Sequence, residues 1–147
     1  MNTDTNNRES SSEKPAFEFK NLPTQLKKNI HSLGWTEPMP VQSHVVPYIL
    51  SSNDVIVLSR TGSGKTGAFL LPLCMKVDSQ KNVAQALVLV PTRELAEQVN
   101  GVLKLLTNQL GIRSTAVYGG VAYEPQIEAF REYVHIIVAT PGRIIDQ

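Results

Sequence analysis

A glycine-rich stretch of eight residues carries the clearest chemical signal in this sequence: Ser59, Arg60, Thr61, Gly62, Ser63, Gly64, Lys65 and Thr66. Glycines let the backbone curl so that several N–H groups point at one anion, and a helix that starts directly afterwards adds its positive end. In such a loop, Lys65 reaches the β- and γ-phosphates and the Thr66 hydroxyl binds Mg²⁺. The stretch therefore predicts a nucleoside triphosphate site, with Lys65 and Thr66 as its catalytic residues and Thr66 as the metal ligand.

The residues around this loop have the pattern of a strand before it and a helix after it. The apolar run Val55–Leu58 predicts a short buried strand, and Ala68 and Leu71 recur at helical spacing. A glycine-rich turn without a ligand is the alternative. Lys65 and Thr66, directly after the last glycine and in this context, argue against it. The loop by itself does not identify the class of enzyme.

The rest of the chain alternates between helical and strand patterns. Before the loop, two helices are predicted by Leu22, Leu26, Ile30 and Leu33, ended by Gly34, and by Val41, Val45, Ile49 and Leu50. After it, three apolar runs predict strands buried on both faces: Ala86–Val90, Thr115–Tyr118 and Val134–Val138. The intervening helices are predicted by Leu95, Val99, Val102, Leu106 and Leu110, stopped by Gly111, and by Ile127 and Phe130, with a last helix from Gly142. This order is typical of an α/β fold with a mainly parallel sheet flanked by helices.

Length and composition limit the classes of protein that fit. The 147 residues, 41% hydrophobic and 18% charged, suffice for one domain with its own core. A formal net charge of +1 gives no strong global attraction to nucleic acid, so any such binding has to be local. The single cysteine, Cys74, excludes an internal disulfide and fits a reducing compartment. Without a membrane-crossing stretch or a secretion signal, we expect a soluble cytoplasmic protein, or a nuclear or nucleolar one in a eukaryote.

The start of the chain differs from the rest in composition. Residues 1–16 are rich in Asn, Ser, Thr and charge, and they offer almost no apolar surface to offset the entropy of ordering. We therefore predict a disordered polar tail over residues 1–16. A single domain is predicted over residues 17–147.

The segment upstream of the loop, Gly34–Gln42, ends in Pro-Met-Pro-Val-Gln. It resembles the Q motif of the DEAD-box ATP-dependent RNA helicases, and Phe17 stands at the matching distance before it. In that family the glutamine amide bonds the adenine edge and the distant aromatic ring stacks on the base. A primary amide donates and accepts at once, which suits adenine. The resemblance thus assigns Gln42 and Phe17 to ATP. Met39 departs from the small hydroxyl residue usual there, and Trp35, in place of the usual Phe, is equally a candidate core residue.

Three segments downstream of the loop match further motifs of the same family in the same order. They are Pro91, Thr92, Arg93 and Glu94 in motif Ia, Gly119 and Gly120 in the GG element, and Thr140, Pro141, Gly142 and Arg143 in motif Ib. In the family these segments hold the sugar–phosphate backbone of single-stranded RNA. Hydroxyls, backbone N–H groups and an arginine bind phosphate without distinguishing bases, so the resemblance implies RNA binding without sequence specificity.

Each of these segments also has a purely structural explanation. Thr92 can act as an N-cap with Glu94 in the first turn, the glycine pair can form a turn, and Thr140–Gly142 can open a helix. His31, His44 and His135 are scattered and, with a single cysteine, suggest no zinc site. The resemblance rests on all the motifs together, and it implies the N-terminal part of an incomplete RecA-like P-loop domain.

The Asp-Glu-Ala-Asp motif, the Ser-Ala-Thr motif and a second RecA-like domain follow motif Ib in the family, and this sequence contains none of them. They supply an acidic group for Mg²⁺, the group that polarises the attacking water, and arginine fingers worth about a thousandfold or more in rate. We therefore expect the isolated chain to need that missing half for activity. We also expect unpaired sheet edges and marginal stability in the chain alone.

Three interpretations of function follow. The first is the ATP- and RNA-binding part of an ATP-dependent RNA helicase, with ATP and Mg²⁺ as cofactors and single-stranded RNA as partner. The second is a non-catalytic module that uses the same contacts to hold RNA or a protein. A different phosphate-loop ATPase is the third, and the Q motif and motif Ia argue against it.

Overall fold

The computed structural model describes residues 13–146. The predicted disordered tail over residues 1–16 falls mostly outside this range and stays a prediction. Within the described range, no helix is long and apolar enough to cross a membrane.

The described residues alternate between helices and strands. A 3-10 helix covers Phe19–Asn21 and precedes α1 (Thr24–Ser32), α2 (Pro40–Leu50) and α3 (Lys65–Lys76). They are followed by β1 (Ala86–Leu89), α4 (Arg93–Leu106), β2 (Ser114–Val117), α5 (Glu124–Arg131), β3 (Ile136–Ala139) and α6 (Pro141–Asp146). The order from β1 to β3 is that of two successive β-α-β units, as the apolar periodicity predicts.

The sheet has three parallel strands in the order β1-β3-β2. Val138 at the centre of β3 lies opposite Val88 of β1 on one side and Ala116 of β2 on the other. Parallel strands place all their carboxyl ends at one edge, where α4, the loop before α5, and α6 begin. The parallel α/β architecture predicted from the sequence is confirmed.

The core lies between this sheet and the helices that cover it. On α4, the buried apolar residues Ala96, Val99, Leu103 and Leu106 recur at helical spacing and form one face. They join the fully buried residues of α3 and β3 in one cluster: Leu70, Leu71, Ile136 and Val138.

The predicted strand at Val55–Leu58 is wrong in this structure. The segment has no regular secondary structure, and the Ile56 and Leu58 side chains are both 94% exposed. An apolar run becomes a buried strand only when a neighbouring strand takes its N–H and C=O groups, and none of the described strands pairs with it.

The expectation that every strand is buried on both faces is also wrong, because β1 has one open face. Leu87 and Leu89 point to that face and are 53% and 55% exposed, whereas Val88 between them is half-buried. β1 is an edge strand, and no described helix covers both of its faces. In contrast, β3 is buried along most of its length, as a central strand should be.

The helix α4 ends at Leu106, five residues before the predicted stop at Gly111. The amide of Asn29, on α1, donates to the carbonyl oxygens of Leu106 and Asn108 at 2.7 and 2.8 Å. These bonds satisfy carbonyl groups that the helix end leaves free, so a distant side chain fixes where the helix stops.

Candidate functional site

The glycine-rich loop leads directly into α3, which begins at Lys65. Gly62 and Gly64 have φ angles of +78° and +90°, a region that residues with a side chain rarely adopt. These two residues turn the chain sharply enough for the loop to curl in front of the helix. The structure therefore contains the predicted loop and the helix that follows it, without the predicted strand before them.

The Lys65 ammonium lies inside this curl. Its Nζ atom donates to the carbonyl oxygens of Ser59 and Arg60, at 2.5 and 2.7 Å. Both partners are neutral, so a phosphate oxygen would be a stronger acceptor for the same ammonium. The loop thus places a cation where its predicted role requires one.

Gln42 connects the Q-motif segment with the loop. The side chain is buried; its Oε1 accepts from the Met39 N–H at 3.0 Å and its Nε2 donates to the Gly64 carbonyl at 3.1 Å. Both ends of the amide are therefore engaged with the protein backbone. The amide keeps a second N–H group and a second lone pair for a contact to adenine.

The Gln42 side chain packs against Gly64 and Gly67. Any other residue at either position would force neighbouring side chains to move. A Cβ atom on Gly64 would lie 2.6 Å from the Met39 sulfur, and one on Gly67 would lie 2.4 Å from Gln42 Nε2. The same Cβ on Gly67 would be 3.2 Å from the Trp35 ring, which packs against the core. Trp35 is therefore a packing residue behind the loop, in agreement with the prediction that it is a core residue.

Phe17 lies beside α2. Its backbone N–H donates at 2.9 Å to the carbonyl of Ser43, the residue that follows Gln42. The side chain is 5% exposed and meets Phe19 edge-on, with ring centroids 6.1 Å apart. The structure thus holds the Phe17 backbone against α2 one residue after Gln42, with the Phe17 ring mostly in the core.

The metal-binding capacity of the described residues is small. No group of three or more His, Cys, Asp or Glu side chains among residues 13–146 comes together. At the loop, the Thr66 hydroxyl is the predicted ligand, and Thr66 is half-buried. Mg²⁺ commonly keeps several waters and binds substrate phosphates, so a single hydroxyl fits a supporting role.

The three predicted RNA-binding segments meet at the carboxyl edge of the sheet. Pro91 to Glu94 follow β1, Gly119 and Gly120 follow β2, and Thr140 to Gly142 follow β3. All of these except Thr140 are exposed. An added Cβ on Gly120 would lie 3.7 Å from an Arg93 nitrogen, and the Thr140 N–H donates to the Val117 carbonyl at 2.9 Å. No hydrogen bond among the described residues joins this edge to the phosphate loop.

Comparison with protein families decides what this arrangement belongs to. A family model described as DEAD/DEAH box helicase matches residues 39–147, which include the phosphate loop and all three segments of the carboxyl edge. The chain belongs to the DEAD/DEAH box helicase family. The resemblance predicted from the motifs is confirmed.

Individual members of this family match most of the chain. It is 41% identical over 130 residues to DEAD-box ATP-dependent RNA helicase 12 of Arabidopsis thaliana, covering 88% of this chain and 26% of that protein. It is 40% identical to ATP-dependent RNA helicase DeaD of Haemophilus influenzae, covering 91% and 22%. The chain thus spans about a quarter of the length of the curated helicases that it matches.

Solved structures of the family share the fold. A DEAD box protein from Methanococcus jannaschii superimposes with a TM-score of 0.82 at 36% identity, covering 89% of this chain and 37% of that one. A hypothetical ATP-dependent RNA helicase from Sulfolobus tokodaii gives 0.75 at 34% identity, covering 83% and 35%. The predicted RecA-like fold class is confirmed.

The helicase segment Thr140–Arg143 contains one residue that the structure places unexpectedly. Arg143 is predicted to contact RNA, yet its side chain is 8% exposed. Its guanidinium carbon lies 4.0 Å from the centroid of the Tyr123 ring, and Nη2 donates to the Val121 carbonyl at 3.1 Å. In this structure the arginine contacts the loop after β2.

Gln126 is a residue of this helicase edge that the sequence did not reveal. It is buried on α5; its Oε1 accepts from the Tyr118 N–H, and its Nε2 donates to the carbonyls of Tyr118 and Ala122. It therefore holds both ends of the loop that contains the glycine pair. No motif or periodicity marks a lone glutamine on a short helix.

Two further residues of the core have no part in the site. Burial raises the pKa of the Cys74 thiol to about 12, so it stays protonated near neutral pH. The Nδ1 atom of His135, buried beside β3, accepts from the Arg113 N–H at 2.9 Å. Both residues are buried in the core.

Proposed function

We propose that this chain is the ATP-binding part of the first RecA-like domain of an ATP-dependent RNA helicase, and that it also carries part of the RNA-binding surface. Its relatives of 40 to 42% identity are named ATP-dependent RNA helicases. The observation that carries the proposal is the Lys65 ammonium, held inside a glycine loop at the start of α3. A cation and a curled backbone in front of a helix are what a triphosphate requires.

We propose the following roles in nucleotide binding. The backbone of Ser59 to Gly64 would surround the phosphates, and Lys65 would exchange its two carbonyl partners for phosphate oxygens. Thr66 would contribute its hydroxyl to Mg²⁺ together with those phosphates. Gln42 would select adenine, with Phe17 beside it. Because Gln42 also bonds the Gly64 carbonyl, one amide would connect adenine with the loop.

We also propose that the carboxyl edge of the sheet binds the backbone of single-stranded RNA. Its exposed members offer backbone N–H groups, the Thr92 hydroxyl and the Arg93 guanidinium, and the half-buried Thr140 adds a second hydroxyl. These groups suit phosphate and ribose more than bases. A single cationic side chain among them matches the low net charge of the chain. Binding should accordingly be weak, sensitive to salt and indifferent to sequence.

Hydrolysis is proposed to need groups that these 147 residues do not contain. The sequence has no Asp-Glu-Ala-Asp motif, and the loop offers a lysine and a threonine without a nearby carboxylate cluster among the described residues. Binding contacts without groups that stabilise the transferring phosphoryl do not accelerate the reaction. We propose that the parent helicase works in the cytoplasm, where a reduced Cys74 is expected.

The experiment is an equilibrium titration of the 147-residue chain with a fluorescent ATP analogue and Mg²⁺. Loss of a charge-assisted phosphate contact should weaken binding of Lys65→Ala about tenfold or more. Lys104→Ala, an exposed lysine on α4, is the matched control and should bind like the wild type. Equal affinity of the wild type and Lys65→Ala for the analogue would contradict the proposal. So would displacement of the analogue by GTP as effectively as by ATP.

A further inference from the structure

The segment from Gly119 to Tyr123 is held from two sides. From α5, Gln126 bonds Tyr118 and Ala122. From α6, Arg143 bonds the Val121 carbonyl and stacks on the Tyr123 ring. Two of the proposed RNA-binding elements, the glycine pair and Thr140–Gly142, are therefore joined through one arginine.

The arginine is poorly placed to bind phosphate itself. The residue is only 8% exposed. Its Nη1 atom is enclosed and has no hydrogen-bond partner in the described part of the chain. A phosphate oxygen could reach Nη1 only after the atoms that enclose it moved. A planar guanidinium can stack on a ring and at the same time donate hydrogen bonds in its own plane.

We infer that Arg143 is a positioning residue that fixes the Gly119–Tyr123 segment against α6, and that RNA phosphates bind the backbone it holds in place and not the arginine. The part of this inference that concerns RNA rests on the proposed function. The contact between Arg143 and Tyr123 does not, because it exists within the chain alone. The two parts can therefore be tested separately.

The first test uses no RNA and measures hydrogen exchange at the amides of Tyr118, Gln126 and Ile127, which donate to Gln126 Oε1 and to the Tyr123 carbonyl. Arg143→Gln and Tyr123→Leu should each raise the exchange rates about tenfold, the range of a desolvated cation–π contact. The double variant should exceed neither single variant by more than about twofold, because both remove the same contact. Tyr123→Phe, which keeps a ring face, and Arg131→Gln, an exposed arginine on α5, are the controls and should exchange like the wild type.

Loss of the fold would not imitate this result. Tyr123 is 42% exposed, so its replacement by Leu leaves no cavity in the core, and the amides of Val117 and Val138 report on the sheet in the same experiment. Unchanged exchange at the amides of Tyr118, Gln126 and Ile127 in both Arg143→Gln and Tyr123→Leu would overturn the inference. So would full additivity of the two substitutions.

The second test measures binding of a single-stranded oligouridine at several salt concentrations. Arg143→Gln should weaken binding about tenfold and leave the slope of log affinity against log salt unchanged. Tyr123→Leu, which removes no charge, should do the same. If Arg143 bound a phosphate directly, its loss would instead lower the slope by about 0.7, and Tyr123→Leu would not. That outcome overturns the inference, whereas absence of RNA binding by the wild type contradicts the proposed function and leaves the exchange test to decide.

Discussion

At the scale of single residues, Gly67 lies in a closely packed position behind the phosphate loop. Gly67 has no room for a Cβ, because Gln42 Nε2 would be 2.4 Å away and the Trp35 ring 3.2 Å away. Gly101, in the middle of α4, has nothing within 4 Å of the same position. Two helical glycines in one chain therefore differ in their surroundings and not in their secondary structure.

Substitution of these two glycines by alanine should have opposite effects on the free energy of unfolding. Gly67→Ala should lower it by about 1–3 kcal/mol, because Gln42 or Trp35 must move. Gly101→Ala should raise it by about 0.5–1 kcal/mol through helix propensity. Urea unfolding of both variants measures the difference. A stabilised Gly67→Ala would show that the pocket behind the loop is looser than described.

Cys74 allows a prediction on pH. Burial raises its pKa from 9.0 to about 12, so between these values the folded chain keeps a proton that the unfolded chain has lost. Its contribution to stability is complete below pH 9 and falls above it, by up to about 1.4 kcal/mol per pH unit.

The measurement compares the unfolding free energy of the wild type and Cys74→Ala from pH 7 to 11. The difference between the two proteins should be constant up to about pH 9 and should then shift against the wild type. A difference that stays constant throughout would mean that the thiol ionises as easily in the folded state as in the unfolded one.

At the scale of elements, Thr92 serves the start of α4 as well as the proposed RNA surface. Its Oγ1 accepts from the Leu95 N–H at 3.2 Å, which is an N-cap contact. Thr92→Ala should therefore cost about 1 kcal/mol of stability even without RNA, and Thr92→Ser should retain most of it. Thermal unfolding of both variants tests this, and equal stability of Ala and Ser at this position would mean that the cap contributes nothing.

Hydrophobic patterns in the sequence predict some of the helices and strands correctly and others not. They predict α1, α2, α4 and the three strands of the sheet, because these segments find their partners within the described residues. They fail at Val55–Leu58, since a pattern cannot say whether a neighbouring strand is present. They also fail at the end of α4, where the bonds from Asn29 are made across 77 and 79 positions of the sequence.

At the scale of the whole molecule, contiguous motifs were predictable and side-chain bridges were not. The loop and the three segments of the carboxyl edge each lie in one short stretch, so their types and order could be recognised directly. Arg143 and Val121, 22 residues apart, meet only because β2 and β3 are neighbours. That pairing is a property of the sheet, and it buries the arginine that the motif predicts to contact RNA.

The central claim is that two separate surfaces bind two ligands, ATP at the phosphate loop and RNA at the carboxyl edge. The most direct measurement is hydrogen exchange of the 147-residue chain with ATP and Mg²⁺, with oligouridine, and with both. ATP should slow exchange at residues 59–66, and RNA at residues 92–95, 119–120 and 140–143. Residues 104–114, at the opposite edge of the sheet, should not change with either ligand. Protection there, or protection of one surface by both ligands alike, would contradict the account.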